Sequence, residues 1–237
     1  MKNTIHKSDS RGLADHGWLK SRHTFSFANY YNHERTRFGL LRVLNDDIVQ
    51  PGMGFGSHPH DNMEIVSIPL KGELAHKDST GHKEIIKTND VQIMSAGSGL
   101  THSEFNNSNN EEVNFLQIWV LPEEKNIKPR YEQKTFKPSD RKNKFQTVIS
   151  PEKNKGTIWI NQDAVFSLGN FESGKTAEYT LKHKDNGIYL FVIEGEINIT
   201  GTNLGKRDAI GIEDTEKISL TAAKDSELLL IEVPMKI

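Results

Sequence analysis

Two short pairs of ligand-type residues carry the chemistry that this sequence can offer. His58 and His60 form a His-x-His pair, and His102 and Glu104 form a His-x-Glu pair further along. Residues i and i+2 of a strand point to the same face, so each pair can aim both side chains into one cavity. If the two strands lie side by side in a barrel, three imidazoles and one carboxylate converge. That is a donor set for a divalent transition metal. Imidazole suits Fe, Cu, Ni and Zn, and four protein donors on an octahedral ion leave two adjacent positions open, as catalysis requires. One carboxylate against a dication leaves a net charge of +1, which suits an anionic bidentate substrate, an enolate, or a substrate together with dioxygen. A lone His-x-His would mean little, because histidines alternate by chance on many strands. Two such pairs, each behind a Gly-rich turn, argue for a metal over a satisfied polar core.

Two glutamates compete for the fourth donor position. Glu64 follows His60 by four residues, so on a regular strand it shares the histidines' face and parity does not exclude it. Glu104 has the tighter i,i+2 relation to His102. We therefore expect Glu104 as ligand and catalytic carboxylate, with Glu64 as a buried supporting group or a pocket-lining acid or base.

The elements that must position these residues read as short strands. Gly52, Gly54 and Gly56 let the backbone turn sharply before the first pair. Pro59 removes a ladder donor, which predicts a strand start or a sheet edge. EIVSIPLKGELAHKD reads as two strands meeting around Lys71–Gly72, and SAGSG (95–99) delivers the chain to His102. VNFLQIWVLP alternates, with Phe115, Gln117 and Trp119 on one face and Leu116, Ile118 and Val120 on the other. Gln117 is a polar side chain among aromatics, so it either lines the cavity or holds a ligand histidine, or else faces solvent on a half-exposed sheet. The remaining histidines are expected elsewhere: His6, His16 and His33 as surface or hydrogen-bonded side chains, His76 and His82 exposed around the DSTGHKE turn. His23 could support a pocket wall.

Composition narrows the class. The chain has 237 residues, a formal net charge of -2 and no cysteine, which excludes disulfides and thiolate metal sites. No basic run marks a nucleic-acid footprint, no stretch is long enough to span a membrane, and the first residues lack the apolar run of a signal peptide. A soluble cytoplasmic protein is expected. Turn residues recur between alternating runs, which argues for an all-β barrel or sandwich. Residues 123–156 turn charged and Pro-punctuated and read as an interdomain crossing segment between units at 1–122 and 157–237. The second unit repeats the grammar of the first: Gly195 matches Gly72 and Asp208 matches Asp90. Projection through those anchors puts Leu181, His183, Leu220 and Ala222 where His58, His60, His102 and Glu104 stand. A lone imidazole holds no metal, so that copy is expected to be metal-free.

RGLADHGWLKSRHTFSFANYY, FGLLRVLND, GFGSHPHDNMEIVSIPLKGELAHKDSTG, SAGSGLTHSEF and LQIWVLP together resemble the pirin family of the cupin superfamily, closely over residues 8–122 and loosely beyond. The match is to its bacterial members, the pirin-like proteins and quercetin 2,3-dioxygenases. The general cupin pattern G-x5-H-x-H-x3-E runs from Gly52 to Glu64. The second cupin pattern departs, with Gly97 at its proline and Asn89 before Asp90. The resemblance implies a bicupin fold, two stacked antiparallel β-barrels (double-stranded β-helix), with one metal in the N-terminal barrel on His58, His60, His102 and Glu104. The carboxylate in the second pair is what takes Glu64 out of the ligand role. It further implies Fe(II) as the ion, with Cu, Ni, Zn or Mn as alternatives, and a monomer that opens flavonol rings with dioxygen and releases carbon monoxide. An iron-containing redox-sensing regulator that binds a protein partner is the competing reading, and a Lewis-acid isomerase or hydrolase the third.

Overall fold

The computed structural model describes residues 1–153 and 156–236; Asn154, Lys155 and Ile237, which fall in the crossing segment and at the end of the second unit, lie outside the described residues. The chain is all-β and cupin-like, built as two similar units. Each unit pairs a seven-stranded sheet with a four-stranded one. In the front unit the large sheet orders Arg130–Thr135, Asp90–Ser95, Glu64–Lys71, Val113–Val120, Leu41–Val49, Leu19–His23 and Gly12–Asp15. The small sheet orders Gly54–His60, Leu100–Asn106, Glu73–Asp78 and Lys83–Lys87. The expected barrels are thus two facing sheets each, with no hydrogen-bonded closure between them among the described residues. Strand alternation is what allows this: each sheet turns an apolar or site-forming face inward.

The two large sheets pack against each other through the largest apolar cluster, which includes Leu44, Val66, Ile118, Phe166, Phe191 and Leu229. Val113–Val120 shows the logic. Leu116, Ile118 and Val120 belong to this shared core, while Phe115, Gln117 and Trp119 face into the front unit. The interior of the back unit is filled by aliphatic side chains such as Leu190, Ile197, Leu204, Ile210, Leu220 and Leu230. Of the projected positions, Leu220 and Ala222 are buried in that core, and Leu181 packs against it. His183 lies outside the strands, its backbone N–H donating to the buried Glu232 carboxylate at 2.7 Å.

Edge strands are exchanged between the halves. Lys2–His6, at the start of the chain, pairs with Ala209–Glu213 in the back sheet. The crossing segment carries two strands: Arg130–Thr135 extends the front sheet and Phe145–Ser150 the back one. The repeat explains the exchange. Asp90 accepts from Lys87 N–H at 2.9 Å and Asp208 from Gly205 N–H at 3.0 Å, the same turn in both units. Each carboxylate is then gripped from the added segment, Asp90 by Gln133 and Thr135 of the strand, Asp208 by Lys7 and Ser8 just after it. Among the described residues no helix is long and apolar enough to cross a membrane.

Candidate metal centre

Gly54–His60 and Leu100–Asn106 are neighbours in the small sheet, antiparallel, with His102 directly opposite His58 and Leu100 opposite His60. Gly54–His60 is an edge strand, where Pro59 costs no ladder bond. Opposite His102 and Glu104 the register slips: His102 faces His58 and Glu104 faces Phe55, so the extra residue of the bulge lies on Gly54–His60, between Phe55 and His58, while Leu100–Asn106 runs regularly against Glu73–Asp78. The Gly-rich lead-in works differently from the expected sharp turn. Gly52 alone of its three glycines takes a positive φ, of 66°; Gly54 is needed because a Cβ there would lie 2.3 Å from the Glu104 carbonyl oxygen.

The three imidazoles converge. Donor atoms of His58, His60 and His102 lie within 4.8 Å of one another, and the ring centroids are 4.4 to 4.9 Å apart. Burial lowers the His60 pKa to about 4 and that of His102 to about 3, helped by the neighbouring imidazoles, so both rings are neutral and keep a free lone pair at neutral pH. His58 Nδ1 lies 2.8 Å from the Gly56 carbonyl oxygen, a contact that fixes the proton on Nδ1 and leaves Nε2 as the donor atom. Among the described residues neither ring nitrogen of buried His102 has a hydrogen-bond partner. Two orphaned imidazole nitrogens amid two further imidazoles are a poor polar core and a good metal site, so the residues present fit a divalent ion.

Glu104 is buried and held from the large sheet. Gln117 Nε2 donates to one carboxylate oxygen at 2.9 Å, and the Ser67 hydroxyl lies 3.2 Å from the other. Gln117 therefore orients the carboxylate rather than a histidine. A Gln117→Leu variant is expected to bind metal about tenfold to a hundredfold more weakly, as loss of a ligand's orienting partner does, in competition against a chelator. Unchanged affinity would mean that Glu104 needs no such support.

Glu64 stands elsewhere. The strand ends at His60, the chain turns with Asn62 at φ 45°, and Glu64 opens a strand of the other sheet. Its carboxylate accepts from Ser95 Oγ at 2.8 Å and from Asn161 N–H at 3.3 Å, at the boundary between the two units. The parity argument failed because it assumed one unbroken strand. A pocket-lining role for Glu64 is thereby corrected.

Sequence reasoning missed His76, which is buried rather than exposed. It sits directly opposite Glu104, its Nε2 is 3.0 Å from Asp78 Oδ2, and with His102 and Glu104 it makes a second group of donors within 4.8 Å. The i,i+2 rule marks His76 and Asp78 as sharing a face, but nothing local says which strand lies beside them. His82, as expected, is partly exposed, stacking on Tyr131. Above the imidazoles opens a cavity of about 610 Å³, walled by Trp18, Phe27, Tyr30, Phe55 and Trp119. His16 and His23 line it too.

Residues 5–120 match the family model described as Pirin, and residues 147–233 match that of the quercetinase C-terminal cupin domain. The chain is 40% identical over 230 residues to the quercetin 2,3-dioxygenase of Escherichia coli strain K12, covering 97% of this chain and 98% of that protein. It is 40% identical to a pirin-like protein of Caulobacter vibrioides, over 94% of this chain and 96% of the other. Among solved structures it superposes on bacterial pirin YhhW of Escherichia coli in complex with nickel(II), with a TM-score of 0.93, 38% identity and 100% of both chains covered.

Proposed function

The chain belongs to the pirin family, and we propose that it is a metal-dependent dioxygenase of the quercetin 2,3-dioxygenase type, opening flavonol rings. The observation that carries this reading is the convergence of His58, His60 and His102, with Glu104 grouped with His102 and His76 next to them, at a cavity walled by aromatic rings. We take those four residues as the ligands and iron(II) as the ion; the Escherichia coli relative's crystal structure shows that such a fold holds nickel(II) as well. The bound ion supplies Lewis acidity, which makes a chelated hydroxyl more acidic, together with reactivity toward dioxygen.

The protein's own residues do the rest. Trp18, Phe27, Phe55 and Trp119 offer flat apolar faces between which a planar fused ring can lie, orienting it and excluding water. The Glu104 carboxylate, steadied by Gln117 and Ser67, accepts the proton of the flavonol 3-hydroxyl. Neutral His60 and His102 donate lone pairs and carry no charge into the site. Dioxygen is the oxidant, and one ring carbon leaves as carbon monoxide.

The test begins with elemental analysis of protein purified without added metal, followed by oxygen uptake with a flavonol panel. We expect near-stoichiometric divalent transition metal, and oxygen consumption matched by carbon monoxide release, absent under anaerobic conditions. Turnover that persists without dioxygen would point to a Lewis-acid isomerase or hydrolase. Metal without turnover of any flavonol would favour the redox-sensing regulator.

A further inference from the structure

The large sheet of the front unit carries a belt of polar side chains at one level of its inner face. Antiparallel register sets His23 opposite Asn45, Asn45 opposite Gln117, and Gln117 opposite Ser67; Ser21 stands opposite Asp47, two residues along. All six are buried. A buried polar atom is costly unless it is hydrogen-bonded, so each member of the belt should have a partner. Part of the belt does. Gln117 and Ser67 hold Glu104, and the Ser21 hydroxyl donates to Asp47.

The other part does not. Among the described residues His23 Nδ1 and Asn45 Oδ1 have no hydrogen-bond partner. Both residues line the cavity, beside Ser21 and Asp47 and together with the three ligand histidines. None of these four is used in the chemistry derived above. Their chemistry is chiefly that of acceptors: an amide oxygen, a ring nitrogen and a carboxyl group that burial pushes up to about 7, so that near neutrality it can accept or donate. Groups of this kind recognise O–H donors. An aromatic ligand without hydroxyls would leave them buried and unpaired.

We propose that Ser21, His23, Asn45 and Asp47 form a hydroxyl-binding subsite that selects polyhydroxylated aromatic substrates, engaging hydroxyl groups other than the one at the metal. This rests on reading the cavity as a flavonol site, and it narrows the substrate class from flavonols in general to those that carry hydroxyls beyond the chelating one.

Equilibrium binding to nickel(II)-loaded protein under anaerobic conditions separates the two readings, because no turnover is needed. The probes are quercetin and 3-hydroxyflavone, which share the chelating 3-hydroxyl and differ in the other hydroxyls. Wild type is expected to bind quercetin at least about tenfold more tightly, the worth of one or more well-placed hydrogen bonds. In Asn45→Leu the preference should collapse toward one, with nickel content per chain unchanged. His23→Phe, which keeps the ring packing against Phe27 and Tyr30, should weaken the preference in the same way and decides the matter if Asn45→Leu does not fold. Equal affinity of wild type for both probes overturns the subsite while leaving the flavonol reading standing. Binding of neither probe removes both. A preference that survives in both variants, or a loss of nickel from them, also overturns the subsite.

Discussion

Replacing Glu104 with alanine is expected to strip the protein of its metal. The side chain is buried, its two oxygens are engaged by Gln117 and Ser67, and it supplies the negative charge among four proposed donors. Its removal leaves three imidazoles facing a dication, and leaves Gln117 Nε2 without its acceptor. Deleting an orienting partner alone costs about tenfold to a hundredfold in affinity, so losing the ligand itself should cost on the order of a hundredfold or more. After dialysis against a weak chelator the variant should retain far less than one ion per chain, and oxygen uptake with quercetin should fall to background. Glu64→Ala, treated identically, should keep its metal. Full metal content in Glu104→Ala would reverse the assignment and turn attention to His76, which stands directly opposite Glu104 on the neighbouring strand.

The second large effect concerns stability. Burial raises the Glu64 pKa from 4.5 to about 7, only partly offset by Ser95, the Asn161 N–H and the Arg130 charge. An acid whose folded pKa is raised binds its proton more tightly in the folded state than in the unfolded one. Its effect is therefore to lower stability progressively as pH rises from about 4.5 to about 7, with no further change above. The full shift corresponds to a penalty on the order of 3 kcal/mol. Glu64→Gln removes the charge and keeps an acceptor for Ser95 and Asn161. It should match wild type near pH 4 and exceed it by up to that amount at pH 8, in urea unfolding of metal-free protein. Asp47, raised by burial in the same direction, titrates in both proteins and cancels in the comparison. Equal stability of the two proteins at pH 8 would mean that Glu64 carries its charge there without cost.

Much of the site was legible along the chain, because it rests on local periodicity. Side chains alternate every residue on a strand, so the pairs His58–His60 and His102–Glu104 each had to share a face, and so did Phe115, Gln117 and Trp119. The structure brings the three histidines together in that way and seats Gln117 against Glu104. Gly72 and Gly195 mark the same turn in the two units, with φ of 78° and 89°, where the chain leaves one strand for the next.

What the tertiary structure alone decided is where strands end and which ones meet. Parity carries across residues only while a strand is continuous, and the break at Asn62 sends Glu64 to another sheet and another face. Pairing between strands far apart in sequence leaves no periodic trace. His76 therefore reads as a surface turn residue until Glu73–Asp78 is laid against Leu100–Asn106. The same holds for the polar belt from His23 to Ser67, assembled from four strands, and for Lys2–His6, which completes the sheet of the opposite half. The sequence by itself determined which candidate donors share a face and at what strand spacing, which depend on neighbours two residues away. Only the packed sheets determined the company those donors keep, because register across a sheet is set by burial and hydrogen bonding between distant segments.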